Sequence, residues 1–365
     1  MKICLVAGTR PNFIKLSSIV EAIRLHQKVN INLHYTIVHT GQHYDKKMSD
    51  DFFSELSIPK PNVNLNCGGG SQNEQVAKII IAFEKYLLKN KFDLVVVFGD
   101  VNSTVACSLV AKKLLIKIAH VEAGLRSFDN TMPEEINRII TDSITDYFFT
   151  TSETANQNLI KSGKKNKNIH FVGNTMIDTL IKNIKKFTKP KFWNKLNLRQ
   201  KKYFVITLHR PSNVDDKKKL KLLLSSVSAS LKNIRLVFPA HPRTTGVLKN
   251  LKIEINNLII VDPMSYLEFN YLVKNSIAVF TDSGGITEET TFMGIPCMTL
   301  RDNTERPETI SIGTNQLLGT DPSKYKKIIN DCFRNGWKKG KIPKLWDGKT
   351  GERIVKIIEK IYDDK

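Results

Sequence analysis

The stretch at residues 94–115, LVVVFGDVNSTVACSLVAKKLL, decides the fold class. It begins with a short, continuous apolar run, which predicts a buried strand, and from Ser103 onward it has the periodicity of a helix. Strands that alternate with helices in this way predict a buried parallel sheet. We therefore expect an α/β protein.

The same alternation runs through both halves of the chain. Because 365 residues exceed what one hydrophobic core usually holds, about 250–300 residues, two domains are the expected organisation. Residues 182–202 are rich in Lys, Asn and Pro and predict a helix end and a linker. We expect two Rossmann-like doubly wound domains, at 1–178 and 179–350. The predicted strands are 3–7, 35–39, 94–98, 116–121, 147–150, 169–172, 203–208, 235–238, 258–261, 278–281 and 297–300.

The formal net charge of +21 fits proteins that bind nucleic acids, because Lys and Arg neutralise phosphates. The lysines are scattered in short runs, however, without an aromatic-interleaved module beside them, which indicates a solvated surface. We therefore expect no nucleic-acid partner. A basic nucleic-acid-binding protein on an α/β scaffold is the non-enzyme alternative.

The five cysteines are widely spaced and include no C-x-x-C pair, which disfavours a disulfide framework and a zinc site. This pattern is typical of a reducing compartment, so we expect a cytoplasmic protein. The sequence shows no signal-peptide pattern and no apolar stretch of 18 residues. It predicts a protein that is neither secreted by that route nor inserted in a membrane.

Carboxylates gather with cations in the run HVEAGLRSFDNTMPEEINR, residues 120–138. Glu122 ends one predicted strand and Asp100 ends the strand before it, so both are expected at the sheet edge where α/β proteins bind ligands. Glu134 and Glu135 begin a predicted helix, where acidic residues also occur simply because they stabilise the helix start. The grouping suggests proton chemistry on an anionic substrate.

The run TDSGGITEE, residues 281–289, predicts an anion-binding site. A strand ends at Ser283, two glycines form a turn without side chains, and a helix is predicted at 287–293. Backbone N–H groups at a helix start favour a diphosphate, although a tight connection alone would also explain two glycines. Glu288 and Glu289, expected in the first helical turn, are suited to accept hydrogen bonds from ribose hydroxyls.

Basic residues occupy the corresponding corner of the first half, in GTRPNFIK, residues 8–15. Arg10 stands where a dinucleotide-binding fold has glycine. No G-x-G-x-x-G follows a strand in either half, which argues against NAD binding. Arg10 and Lys15 are instead suited to bind phosphate, as a planar fork and a point charge.

Histidines follow two predicted strands of the second half. His209 and Arg210 follow one strand, and His241 follows the next. A single histidine at a strand end is more often structural than catalytic, but two of them beside arginines, opposite an acidic first domain, favour a site. Arg306 and His43 lie in polar loop clusters of the kind that carry binding residues.

Taken in order, the four runs GTRPNFIK, FGDVNST, HVEAGLRSFDNTMPEEINR and TDSGGITEE resemble the motifs of the non-hydrolysing UDP-N-acetylglucosamine 2-epimerase family. The resemblance implies a glycosyltransferase-B-type arrangement in which a terminal helix, within 351–365, packs back on the first domain. It implies inversion at carbon 2 of a UDP-2-acetamido sugar, by elimination of UDP and re-addition to the opposite face. It also implies a homodimer, supply of a precursor for surface polysaccharide, and no redox cofactor or metal.

The resemblance also implies roles for individual residues. The acid/base carboxylates would be Asp100, Glu122 and Glu134, and His209 would assist departure and return of the diphosphate. The residues expected to hold the UDP-sugar are Arg10, Lys15, His43, Arg138, Arg210, His241, Tyr266, Ser283, Gly284, Gly285, Glu289 and Arg306.

Departures from the family pattern leave alternatives open. Asn12 stands where many members have glutamate, and Gln42-His43-Tyr44 stands where members activated by UDP-N-acetylglucosamine have Gln-His-Arg. Related enzymes act on UDP-2,3-diacetamido uronic acids, which are an alternative substrate. A hydrolysing epimerase would typically have alanine where this chain has Pro11. A glycosyltransferase of the same architecture would lack the three carboxylates of the first domain.

Overall fold

Two parallel β-sheets organise the chain. The computed structural model describes residues 1–27, 33–42, 52–231, 233–240, 244–246, 248, 255–334 and 336–363. The predicted site residues His43 and His241 lie outside these ranges. Within them, no helix is long and apolar enough to cross a membrane.

The strands are short, two to six residues each. They are β1 (Lys2–Ala7), β2 (His34–His39), β3 (Val63–Asn64), β4 (Leu94–Phe98), β5 (Lys117–Val121), β6 (Tyr147–Thr150), β7 (Ile169–Phe171), β8 (Tyr203–Thr207), β9 (Arg235–Pro239), β10 (Leu258–Val261), β11 (Val279–Thr281), β12 (Cys297–Thr299) and β13 (Asn315–Leu317). The first sheet has the order β3-β2-β1-β4-β5-β6-β7, and the second has the order β10-β9-β8-β11-β12-β13. All the strand pairs of the described residues are parallel. Both orders are those of doubly wound Rossmann-like sheets, so the predicted fold class is confirmed.

Helices connect most of these strands. They are α1 (Arg10–Gln27), α2 (Gln72–Lys89), α3 (Asn102–Lys113), α4 (Pro133–Ile144), α5 (Glu153–Lys161), α6 (Thr175–Asn183), α7 (Pro211–Val214), α8 (Lys217–Ser230), α9 (Tyr266–Lys274), α10 (Gly284–Met293), α11 (Pro307–Ser311), α12 (Tyr325–Arg334) and α13 (Thr350–Asp363). Three-residue 3-10 helices lie at Asn166–Asn168, Ile184–Lys186 and Pro322–Lys324.

The stretch at 94–115 shows why this pattern of sequence gives this fold. β4, LVVVF, is buried along its whole length, as expected for a central strand of a parallel sheet. α3 is buried from Asn102 to Ser108 because it packs against both α2 and α4. A helix buried on most of its sides needs neighbours that cover it on several sides.

The chain divides into two compact units. The first comprises residues 1–182 and 344–365, and the second comprises residues 183–343. α13 returns to the first unit and packs against α1. Gly351 permits this approach, because a Cβ atom there would collide with the carbonyl oxygen of Ser18. Asp178 on α6 accepts a hydrogen bond from the Gly351 N–H group at 2.8 Å and so caps the first turn of α13.

Candidate active site

Both sheets reverse their strand order at one point. The reversal lies between β1 and β4 in the first sheet and between β8 and β11 in the second. In open α/β sheets, ligands bind outside the carboxyl ends of the strands at such a switch point. The segments that follow these four strands carry the predicted site residues Arg10, Asp100, His209 and Ser283.

Asn12 organises the turn that follows β1. Its Oδ1 atom accepts hydrogen bonds from the N–H groups of Gly8 and Thr9, both at 3.1 Å. Its Nδ2 atom donates to the carbonyl oxygen of Phe98, at the end of β4, at 3.0 Å. The residue at which the chain departs from the family pattern therefore joins the two strands on either side of the switch point.

Lys15 and Glu122 form a buried ion pair. The Lys15 Nζ atom lies 2.5 Å from Glu122 Oε2, and the two side chains are 7% and 1% exposed. The backbone of Glu122 has a φ of +69°, a left-handed conformation that is uncommon outside glycine. Gly99 lies against the pair, since a Cβ atom there would be 2.8 Å from Lys15 Nζ. A predicted phosphate ligand is thus in contact with a predicted acid/base carboxylate.

Arg138 joins two further carboxylates of the first unit. Its Nη1 atom donates to Asp100 Oδ2, and its Nε and Nη2 atoms lie 2.9 and 2.5 Å from Glu135 Oε2. Burial would raise the pKa of Glu135, but hydrogen bonds from Ser127 and the Arg138 guanidinium hold that pKa below its usual value. Glu134, the predicted acid/base residue of α4, is exposed in the first turn of the helix.

His209 of the second unit pairs with Asp282, a residue that the motif alone did not single out. His209 Nδ1 lies 2.6 Å from Asp282 Oδ1, and the imidazole is 61% exposed whereas the carboxylate is fully buried. Asp282 also accepts hydrogen bonds from the Arg210 N–H group and from Asn213 Nδ2, both at 3.0 Å. Burial would raise the pKa of Asp282, but the interactions with His209 and Asn213 bring that pKa below its usual value.

A buried carboxylate that orients a more exposed imidazole is a common arrangement for a histidine that transfers protons. The position of Asp282 in the sequence could have indicated this pairing, because Asp282 directly follows β11 and therefore lies at the carboxyl edge of the sheet. β11, which Asp282 follows, pairs with β8, which leads to His209.

The two glycines of the second unit belong to helix α10. The helix begins at Gly284, with Ser283 as its N-cap residue, so the predicted start three residues further on is wrong. Glu288 and Glu289 consequently lie in the second turn rather than the first. Glycine is unfavourable inside a helix, which is why its presence predicted a turn, but the first turn tolerates it here. N–H groups in that turn have no intrahelical acceptor, and the helix dipole favours an anion beside them.

Five buried charged residues lie beside this helix start, and we call them the buried charge cluster. Arg306 Nε donates to Glu288 Oε1 at 2.6 Å, and Arg306 Nη1 lies 2.5 Å from Glu305 Oε1. Arg301 Nη2 donates to Glu305 Oε2 at 2.7 Å. Glu308, which is 6% exposed, completes the cluster. The cluster therefore holds three carboxyl groups and only two guanidinium groups.

The buried charge cluster is in direct contact with the start of α10. A Cβ atom on Gly284 would lie 2.7 Å from Glu305 Oε1 and would collide with the Arg306 guanidinium. Burial raises the pKa of Glu308 to about 7, and the charge of Glu288 acts in the same direction whereas that of Arg306 opposes it. Within the described ranges, no other residue donates a hydrogen bond to either carboxyl oxygen of Glu308.

The remaining predicted residues lie near these groups within their own units. Tyr266, at the start of α9, donates its hydroxyl hydrogen bond to Glu289 Oε1 at 2.7 Å, and both side chains are buried. The Arg10 guanidinium lies 5.0 Å from the centre of the Phe52 ring.

Among the residues that the structure describes, no group of three or more His, Cys, Asp or Glu side chains could hold a metal ion.

The chain matches a known protein family over most of its length. The sequence model of the UDP-N-acetylglucosamine 2-epimerase family matches residues 25–359. The chain is 45% identical to the UDP-N-acetylglucosamine 2-epimerase of Methanocaldococcus jannaschii, over 98% of this chain and 99% of that protein. It is 41% identical to the UDP-2,3-diacetamido-2,3-dideoxy-D-glucuronate 2-epimerase of Pseudomonas aeruginosa, over 87% of this chain and 88% of that protein.

A solved structure resembles the whole chain. The crystal structure of the Methanocaldococcus jannaschii UDP-GlcNAc 2-epimerase in complex with UDP-GlcNAc and UDP superposes with a TM-score of 0.88 at 42% identity, covering 99% of this chain and 100% of that chain. The family membership predicted from the four sequence runs is thereby confirmed. The chain belongs to the UDP-N-acetylglucosamine 2-epimerase family.

Proposed function

We propose that this protein is a non-hydrolysing 2-epimerase of a UDP-2-acetamido sugar, UDP-N-acetylglucosamine (UDP-GlcNAc) or a close relative, and that it acts in the cytoplasm to supply a precursor for surface polysaccharide. One observation carries the proposal most directly. Asp100 and Glu122 follow the adjacent strands β4 and β5, and each is paired with a buried cation. Two carboxyl groups at adjacent strand ends are suited to transfer protons at opposite faces of one carbon.

The chemistry of inversion explains why two such groups are required. In the first step, a base removes the proton of carbon 2 while the bond between carbon 1 and the diphosphate oxygen breaks, which gives UDP and an unsaturated acetamido sugar. In the second step, the diphosphate oxygen adds back to carbon 1 while a proton is delivered to carbon 2 from the opposite face. We assign these transfers, together with the handling of the sugar hydroxyls, to Asp100, Glu122 and Glu134.

The second unit supports the departure of UDP in this proposal. The first turn of α10 presents N–H groups to the diphosphate, and Arg306 beside Gly284 adds positive charge. Glu289, held by Tyr266, accepts hydrogen bonds from the ribose. His209, oriented by Asp282, donates a hydrogen bond to the leaving diphosphate. Negative charge that develops on the leaving group is thereby stabilised without a metal ion.

The named relatives differ in the sugar that they use. UDP-GlcNAc is the substrate in the name of the Methanocaldococcus jannaschii relative, and a UDP-2,3-diacetamido uronic acid is the substrate in the name of the Pseudomonas aeruginosa relative. Both have the UDP group and the 2-acetamido group on which the proposed chemistry depends. Offering both UDP-sugars in parallel and comparing kcat/KM identifies the substrate.

The decisive experiment uses UDP-GlcNAc in heavy water, with separation of the sugar nucleotides and NMR of the product. The proposal requires UDP-N-acetylmannosamine that carries deuterium at carbon 2. Free N-acetylmannosamine with UDP would instead establish the hydrolysing alternative, and an epimerised product without deuterium would exclude elimination.

His209→Asn should lower turnover by ~10²–10⁴-fold and leave UDP binding largely intact. His34→Asn, which changes an exposed histidine, is the matched control.

We also propose that the protein is a homodimer. Ile136, Ile139 and Ile140 on α4 are 40–42% exposed, and Ile81 on α2 is 55% exposed. Both helices pack against α3, so α2 and α4 belong to the same helical layer. Exposed apolar groups concentrated in this way are typical of association surfaces. Analytical ultracentrifugation should show a dimer that Ile139→Glu weakens, whereas a wild-type monomer would exclude the proposal.

A further inference from the structure

His120 is a wholly buried histidine to which the proposed function gives no role. It lies on β5, two residues before Glu122, and is 0% exposed. Its Nδ1 atom lies 2.7 Å from Asp142 Oδ1, and its Nε2 atom lies 2.8 Å from the carbonyl oxygen of Gly99. Because Gly99 directly precedes Asp100, the ring joins α4 to the turn that carries an acid/base candidate.

Both ring nitrogens of His120 face hydrogen-bond acceptors. A carbonyl oxygen can only accept, so Nε2 carries a proton. Asp142 Oδ2 accepts from the Gly124 N–H group at 3.1 Å and lies 2.7 Å from Arg126 Nη1, which is the environment of an ionised carboxylate. Burial would raise the pKa of Asp142, but its interactions with His120 and Arg126 bring that pKa below the usual value. Nδ1 faces this carboxylate, so both ring nitrogens of His120 are engaged.

The backbone N–H and C=O groups of Gly99 both form hydrogen bonds with residues of β5. Its N–H group donates to the carbonyl oxygen of Val121 at 2.9 Å, and its carbonyl oxygen accepts from His120. Gly99 has a φ of +62°, so the turn depends on a conformation that favours glycine. The turn leads directly into Asp100, whose carboxylate reaches Arg138. Removal of the ring would leave the buried Gly99 carbonyl without this donor and loosen the turn.

We propose that His120 is a positioning residue, which Asp142 holds in place and whose Nε2–H group fixes the turn of Gly99 and Asp100 for proton transfer at carbon 2. The positioning role rests on the proposed function, because the transfer assigned to Asp100 defines what is positioned. The hydrogen bond from Nε2 to Gly99 does not rest on it. The two parts therefore have separate tests.

Nitrogen-15 NMR of the histidine rings tests the hydrogen bond. Nε2 of His120 should carry a proton that exchanges slowly with solvent, because the ring is buried. Loss of the signal in His120→Gln assigns it. If His120→Gln does not fold, through-bond correlation to the backbone of His120 provides the assignment. A wild-type His120 without a proton on Nε2 would overturn the proposal.

Steady-state kinetics tests the positioning. His120→Gln should lower kcat by about 10–100-fold and leave the KM for the UDP-sugar within about twofold, since displacement of a reacting group by an ångström affects the transition state far more than binding. His170→Gln, which changes a half-buried histidine on the edge strand β7, is the matched control and should keep the wild-type kcat. A wild-type kcat in folded His120→Gln would show that the ring is only structural. A wild type without epimerase activity would instead count against the proposed function, and the NMR result would still decide whether His120 donates to Gly99.

Discussion

Replacing Glu308 by glutamine is expected to change how the stability of the second unit depends on pH. The pKa of this carboxyl group is raised from 4.5 to about 7, because the side chain is buried and lies beside Glu288. A group with a raised folded-state pKa contributes its full stability only below pH 4.5, and the contribution is lost as the pH rises through 7. One pKa unit corresponds to ~1.4 kcal/mol, so the whole loss is about 3 kcal/mol.

Glutamine resembles the protonated carboxyl group in shape and does not titrate. Between pH 5.5 and 8.5, the unfolding free energy of the wild type should therefore fall by about 2 kcal/mol more than that of Glu308→Gln. Urea unfolding followed by tryptophan fluorescence measures this difference, since Trp193 and Trp337 both belong to the second unit. Asp262→Asn removes an exposed carboxyl group from the same unit and should keep the wild-type pH dependence.

An equal loss of unfolding free energy in the wild type and in Glu308→Gln would refute this reasoning. It would mean that Glu308 is ionised at neutral pH as readily as an exposed glutamate. The buried charge cluster would then have to accommodate three negative charges with two guanidinium groups, and another source of positive charge would be required.

Three further substitutions test other contacts. Asp282→Asn should lower turnover by ~10²–10³-fold with UDP affinity unchanged, because His209 loses its orienting carboxylate; wild-type turnover would contradict the pairing. Gly99→Ala places a methyl group 2.8 Å from Lys15 Nζ at a φ of +62°, and should lower the unfolding free energy by about 1–3 kcal/mol in a thermal melt. Tyr266→Phe removes one hydrogen bond to the carboxylate proposed to bind ribose. Calorimetry should show UDP bound about fivefold more weakly, and unchanged affinity would exclude that contact.

The strands could be predicted well because each central strand is a short apolar run bounded by polar residues or glycine. All eleven predicted strands occur, and no end differs by more than one residue. β3 and β13 were missed, since two or three residues are too few to show a pattern. The start of α10 was missed for a different reason, because glycine is read from sequence as a helix breaker even in a first turn that tolerates it.

The sequence also placed several candidate residues at strand ends, but it could not show which side chains touch. Lys15 and Glu122 are 107 residues apart, and the order of the strands decides that they meet. The same holds for His209 and Asp282, which follow paired strands of the second sheet. Glu308 follows a proline at a helix start, a pattern typical of an exposed stabilising residue, whereas tertiary packing buries it.

The return of α13 to the first unit has a consequence for synthesis on the ribosome. The 161 residues from 183 to 343 are translated between the two segments of that unit. At ~5–20 residues per second, this interval lasts roughly 8–32 s. During it, the surface of α1 around Ser18 has no α13 to cover it. The nascent first unit therefore carries an unfinished helical layer while the second unit is being made, and a translational pause within 183–343 would prolong its exposure to chaperones.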